Sequence, residues 1–307
     1  MSGLTFAEAV VVGAFQGVTE LFPVSSLGHS VLVPALVGGR WAEDLSVSAP
    51  ESPYLAFIVG LHVATAAALL VFFWRDWLSI VVSFATSLRY RRVQTPAERL
   101  AWLLILSTIP VGVAGLALEH VFRTTLGKPM PAAIFLMVNG TVLLAGERLR
   151  RRAPARITVG ASDGESQVHD PDGLDESDQR LSRMAMSRGV LIGSAQILAL
   201  LPGISRSGVT MVAGLLRGLN HDDAARFSFL LATPVILAAG VFKIPDLFGP
   251  LAEGIHAQVI AGSVASFVSA YFAVRFLTRY FHTRTLMPFA IYCAVAGAVS
   301  LVWLTVR

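Results

Sequence analysis

A single cysteine, Cys293, stands among 307 residues, which excludes an intrachain disulfide and any metal site built from several thiolates. It lies inside an apolar stretch and reads as packing. Charge is scarce as well. Asp, Glu, Lys and Arg make up 14% of the chain, where a soluble protein carries about a quarter, while 54% of the residues are hydrophobic and mean hydropathy is +0.66. That balance belongs to an integral membrane protein, a single domain over 1–307. The formal net charge of +4 does not point to nucleic acid, because Lys and Arg are spread over short loops instead of gathering on one face. No basic segment precedes the opening MSGLTFAEAVVVG, so no cleavable signal peptide is expected.

What is present is long apolar sequence. Six stretches, near 54–74, 99–119, 129–149, 225–244, 257–277 and 286–306, meet the roughly 17–25 residues that a membrane-crossing helix needs. Helices are expected throughout, since the bilayer offers no partner to an unpaired backbone amide and the alternation of a barrel strand is missing. The shorter run 77–88 follows the charged pair Arg75 and Asp76 and reads as an interfacial or partly inserted segment. The polar stretch 152–183, with Asp163, Glu165, Asp170, Asp172, Asp175, Glu176 and Asp178 among Gly and Ser, reads as a solvated linker without chemistry of its own.

Two polar motifs interrupt apolar sequence: GVTELFPVSSLGHSV near 17–31 and LLPGISRSGVTM near 200–211. Each has apolar flanks of helical length broken by Pro, Gly and Ser. The reading is a helix over 4–22 that stops at Pro23 and a second over 29–37, then 187–201 stopping before Pro202 and 209–219 resuming after Gly208. Broken backbone at membrane depth survives only where protein or a cavity surrounds it, so each motif is expected to be a re-entrant hairpin, about 4–37 and 187–219. A shift of 180 residues superposes Gly13 on Gly193, Gln16 on Gln196, Leu21 on Leu201, Ser25 on Ser205 and Gly28 on Gly208. Three spans lie between the hairpins, and an odd number makes the repeat inverted, with both loop tips meeting near the midplane. Eighteen basic residues fall on one side of this topology, including Arg89, Arg150, Arg226 and Arg279. The other side holds only Arg40, Arg123, Lys128, Lys243 and Arg307, so the basic-rich side is cytoplasmic and both termini face out.

The motif residues QGVTELFPVSSLGHS and LPGISRSGVT resemble those of the BacA-type undecaprenyl-pyrophosphate phosphatases, whose signatures read approximately Q/E-G-x-T-E-x-x-P-x-S-S-x-G-H and P-G-x-S-R-S-G-x-T. The resemblance runs along the whole chain, GLHVATAAALLVFFWRD included. It implies an enzyme of the bacterial inner membrane that removes the terminal phosphate of the undecaprenyl lipid diphosphate, with a divalent cation and an active site open to the outer face. Some members of the family have a second Glu where this chain has Gln16, and Leu27 replaces a small hydroxyl residue often found there.

Chemistry assigns roles to the same residues. Arg206 suits the nonbridging phosphate oxygens, because its planar fork binds them bidentately and stays charged when desolvated. Ser205, Ser207, Ser25 and Thr210 are further candidate phosphate donors, although Ser25 equally fits a helix cap and Thr210 a bond to its own helix backbone. Glu20 is a general base or, with Gln16, a ligand for Mg2+ or Ca2+. Its bland alternative is a counter-ion to Arg206. Ser26 and His29, three residues apart, fit nucleophile and base, with His29 as nucleophile or Ser26 as a water-orienting group left open. His62, mid-span, could reach the site but fits interhelical hydrogen bonding slightly better; no zinc site is read from His120, His169, His221, His256 and His282. Two functions remain: a lipid pyrophosphate phosphatase, and a polyprenyl-phosphate transporter or flippase, for which inverted repeats are also a common plan. Membrane lipids and a polyprenyl diphosphate are the expected partners, and a homodimer is left open.

Overall fold

The computed structural model describes residues 4–39, 41–42, 45, 53–152, 175–247, 249 and 254–306. Among these there are twelve α-helices and no strand. In chain order they are α1 Phe6–Leu21, α2 Ser26–Val37, α3 Pro53–Phe72, α4 Trp74–Tyr90, α5 Pro96–Leu126, α6 Pro129–Arg152, α7 Glu176–Ser182, α8 Met186–Ser194, α9 Arg206–Leu216, α10 His221–Leu247, α11 His256–Phe281 and α12 Met287–Val306, with a 3₁₀ turn Ala195–Leu200 between α8 and α9.

Five helices contain segments long and apolar enough to cross a bilayer: Pro96–Leu118, Pro129–Arg151, His221–Val241, His256–Phe281 and Met287–Val306. Large apolar side chains such as Val113, Leu116, Ile260, Val299 and Trp303 lie on their outside, as a surface facing hydrocarbon requires. The sixth expected span, 54–74, differs. Its helix α3 passes the same test only together with α4, and the two are bent by 88°. On α4, Trp74, Leu78, Val81, Val82 and Leu88 are exposed at helical spacing, the pattern of a helix lying along an interface.

The two motif segments fold as short, broken helices. Helix α1 begins with a capping box, in which the Thr5 side chain accepts from the Glu8 amide and the Glu8 carboxylate accepts from the Thr5 amide. It ends at Leu21, because Pro23 cannot continue it. It lies against α11 through Gly13 and Gly17, where a Cβ would collide with the backbone of Gly262 and Ser266. Helices α2 and α9 start earlier than the 29–37 and 209–219 of the sequence reading. Ser25 accepts from the amide of Gly28 and Ser205 from that of Gly208, so each serine caps a helix that opens on the next residue. The expected 187–201 helix tightens to 3₁₀ geometry from Ala195.

The linker reading of 152–183 needs correction. Residues 153–174, with Asp163, Glu165, Asp170, Asp172, Arg156 and His169, lie outside the described residues, but 176–182 is helix α7, docked on α10. Arg226 binds Asp178 at 2.6 and 2.8 Å, Asp76 at 3.1 Å and Asp175 at 3.2 Å, over the face of Phe73. Arg180 binds Asp223 at 2.7 Å. Of the acidic residues that suggested a solvated linker, Asp175 and Asp178 are paired with Arg226, and Asp178 is fully buried.

Candidate active site

Helix α1 carries Gln16 and Glu20 one turn apart on its buried side, 3% and 8% exposed, because Gly13 and Gly17 draw the same helix against α11. At its end the chain turns through Phe22–Val24 into α2. From the other half of the molecule, residues 201–205 turn into α9. The two turns touch: the Gly203 amide donates to Ser25 Oγ at 3.2 Å, and Ser205 Oγ and Ser207 Oγ lie 3.5 and 3.1 Å from the Phe22 carbonyl. A Cβ on Gly28 would sit 2.7 Å from the Gly203 Cα, so only glycine permits this approach.

Glu20 is the centre of the contact. Its Oε1 accepts from Arg206 Nη2 at 3.1 Å, while Oε2 accepts from the Ser26 hydroxyl and from Gln16 Nε2 at 3.2 Å. Both guanidinium and carboxylate are nearly buried, 12% and 7% exposed. Arg206 Nη1 is buried and finds no hydrogen-bond partner among the described residues. A buried, permanently charged donor without an acceptor is costly, and an anion beside it would remove the cost.

His29 is held differently from Ser26. Its Nδ1 lies 2.6 Å from the Ser25 carbonyl, which can only accept, so Nδ1 carries a hydrogen; Nε2 then accepts, in the neutral ring, from the Tyr292 hydroxyl at 2.8 Å. Ser26 thus has Glu20 as its partner, and His29 has Tyr292. Thr210 bonds the Arg206 carbonyl at 2.7 Å, the helix-backbone alternative. Ser25, Ser205 and Ser207 spend hydroxyl capacity on caps and on the bonds between the two turns.

Across 99% of both chains, the protein is 73% identical to a protein of Mycolicibacterium paratuberculosis named undecaprenyl-diphosphatase and 72% identical to one of the same name from Mycobacterium avium. A protein of Granulibacter bethesdensis, also named undecaprenyl-diphosphatase, is 41% identical over 97% of this chain and 96% of its own. The family described as "Bacitracin resistance protein BacA" matches residues 9–299. The chain belongs to the BacA family. With its several long apolar helices, this BacA-family protein is a multi-pass membrane protein.

Two residues of the candidate site, Asn139 and Tyr292, were not singled out by sequence reasoning, and a site role for a third, His62, was rated slightly below helix packing. Asn139 of α6, fully buried, donates to the Pro23 carbonyl at 3.1 Å and accepts from the Ser205 amide at 3.0 Å, clamping both turns at once. An amide in the middle of the apolar run MVNGTVLL was the available signal. Tyr292 of α12 carried no signal beyond a hydroxyl in a span. His62 of α3, rated above as helix packing, faces Gln16 and Glu20 at 3.3 and 3.5 Å.

Proposed function

We propose that the chain hydrolyses undecaprenyl diphosphate to undecaprenyl phosphate and inorganic phosphate, regenerating the lipid carrier used in cell-wall synthesis. The observation that carries this reading is Arg206, with one nitrogen tied to Glu20 and the other buried without an acceptor, where both motif turns meet. The names of the relatives 73% and 72% identical to this chain support the same substrate.

In this reading Arg206 Nη1 takes a nonbridging oxygen of the terminal phosphate. Ser26 Oγ attacks that phosphorus, and its proton passes to Glu20 Oε2, the atom to which it already donates. The bond to the bridging oxygen breaks, and that oxygen keeps the electron pair and takes the proton from Glu20 as undecaprenyl phosphate leaves, with His29, bonded to Ser25 and Tyr292, holding the start of α2 in place. Water then attacks the phosphorus of phosphorylated Ser26 as Glu20 takes one of its protons and returns it to the departing Ser26 Oγ. Gln16 Nε2 donates to Glu20 Oε2 at 3.2 Å; with the amide turned so that its carbonyl oxygen faces the carboxylate, the two would offer an oxygen pair to Mg2+ or Ca2+. When bound, the cation would draw charge off the phosphate oxygens.

The topology goes with the chemistry. The two motif segments are re-entrant hairpins inserted from opposite faces, with the bent α3–α4 pair completing six crossings. Both termini face outward, and the site opens to the outer side. The repeated serine caps 180 residues apart and the one-sided distribution of arginine support this arrangement. The lipid tail would lie along the helices, with the diphosphate between the turns. The test is phosphate release from undecaprenyl diphosphate by purified protein. We expect Glu20→Gln and Arg206→Ala each to lower turnover by about 10²–10³-fold or more; full turnover in both variants would sink the reading.

A further inference from the structure

A cavity of about 430 Å³ opens at the C-terminal end of α11, lined by Arg275, Arg279, Arg284, Phe272, Phe276 and Tyr280, and no Asp or Glu borders it. Arg226, Arg180 and Arg151 each bind a carboxylate. Arg275, Arg279 and Arg284 are exposed and have no carboxylate partner among the described residues, although His282 in the same turn reaches Asp222 at 3.4 Å. A cation in the last turn of a helix meets the carbonyl ends favourably, which accounts for Arg279. It does not account for Arg275, one turn earlier, or for Arg284 beyond the helix. The latter is folded back because its amide donates to the Tyr280 carbonyl at 2.9 Å while the Tyr280 hydroxyl donates to the Thr285 carbonyl at 3.3 Å. Like charges gathered without an acceptor repel one another, and an anion between them turns the repulsion into attraction.

We propose that this cavity binds the phosphate headgroup of an anionic membrane phospholipid, with an acyl chain laid over Phe272 and Phe276. The order of the lining fits an amphiphile. Phe272, Phe276 and Arg279 follow one another along one face of α11, both rings are more than half exposed, at 62% and 51%, and the rise from Phe272 to Arg279 is about 10 Å. The chain contacts therefore lie deeper along the span and the cations at its end. Guanidinium forks match phosphate oxygens, and Thr283 adds a hydroxyl to the rim. In the proposed topology the cavity meets the cytoplasmic leaflet, whose anionic lipids attract basic groups at span ends. A bilayer lipid present in bulk fills an open cavity by mass action, where a scarce one would not. Phe276 also stacks on Phe22 at 5.9 Å, and the Phe22 carbonyl accepts from Ser205 and Ser207. A lipid seated on Phe276 is thus one ring away from the motif turns and steadies them.

The test titrates the purified chain, in uncharged detergent, with phosphatidylglycerol or phosphatidylcholine, counting bound lipid by native mass spectrometry and reading stability as melting temperature. Expected is one phosphatidylglycerol held about tenfold or more tighter than phosphatidylcholine, with a rise in melting temperature from phosphatidylglycerol alone. Arg275→Gln, Arg279→Gln and Arg284→Gln together should abolish the preference, at about fivefold per arginine. They should leave the lipid-free melting temperature unchanged, since none of the three has a carboxylate to lose. Arg89→Gln, Arg91→Gln and Arg92→Gln together remove the same charge from exposed positions on the arginine-rich side. The cavity predicts no loss of binding in that second triple variant, whereas general attraction to a basic surface predicts an equal one. An equal loss in both triple variants, or no lipid preference in the wild type, overturns the proposal. An equal rise in melting temperature with inorganic phosphate would overturn it in favour of free phosphate, and displacement of phosphatidylglycerol by substoichiometric undecaprenyl phosphate would overturn it in favour of the carrier lipid.

Discussion

At the scale of single residues, the site rests on a few hydrogen bonds that each connect distant parts of the chain. Asn139 holds the Pro23 carbonyl and the Ser205 amide, so Asn139→Ala strands buried backbone groups on both turns, at about 1–3 kcal/mol for each unsatisfied group. A lowered unfolding temperature in detergent, together with reduced turnover, is the expected outcome, whereas Asn139→Asp should restore the bond from Ser205 but not the bond to Pro23. Arg206→Lys keeps the charge and loses the fork. Since one nitrogen must hold Glu20 while another meets the phosphate, we expect turnover well below wild type and a raised KM in a steady-state phosphate-release assay. Glu20, Arg206, Ser26 and His29 were legible in the sequence because charge and hydroxyls in apolar surroundings are expensive enough to need a reason. Asn139, Tyr292 and the placement of His62 were not, because one polar residue in a span can satisfy itself on any neighbouring helix, and only the fold says which.

At the scale of elements, the motif segments are positioned by close helix approach. Gly13 and Gly17 bring α1 onto α11, and Gly193 brings α8 onto Ser107 of α5, the small-residue contact typical of membrane helices. Gly13→Val and Gly193→Val, 180 residues apart, should therefore produce the same defect: displaced motif turns, loss of phosphatase turnover and lower melting temperature. If only one of the pair is sensitive, the equivalence of the two halves fails. Helix type and approximate length were readable from apolar runs and proline. The first residues of α2 and α9 were not, because Ser25 and Ser205 cap three residues ahead of their glycines and pull each helix start back over residues that looked like loop. The 3₁₀ turn after Ser194 likewise has no apolar periodicity to mark it.

At the scale of the whole molecule, a cluster of ion pairs ties α7 to α10 and α4. Arg226→Gln leaves Asp178 buried without its partner, an expected loss of about 3–5 kcal/mol, and limited proteolysis should then cut near residues 176–182 where wild type resists. The proposed sidedness can be checked independently, since the native thiol of Cys293 is fully buried. In the proposed topology Asp178 lies on the arginine-rich side and Gly254 on the other. Cysteine introduced at the exposed Glu176 should react with a membrane-impermeant maleimide only in inverted vesicles, and at Gly254 only in intact cells; the reverse pattern would invert the topology. Composition alone identified a membrane protein, but the docking of α7 was hidden, because carboxylates read one at a time as solvated acquire arginine partners only when residues some 40 positions away fold beside them.

The right-angled turn between α3 and α4 has a further consequence. A helix that shows Leu78, Val81 and Val82 outward and lies nearly across its neighbour behaves as a float, settling at the depth where its greasy side meets the acyl chains. With α4 in the interface as proposed, α3, which bears His62, would then set how far the Glu20–Arg206 pair rides from the nearer headgroups. Thickening the bilayer with longer lipids should then lengthen the path from the site to the far surface alone.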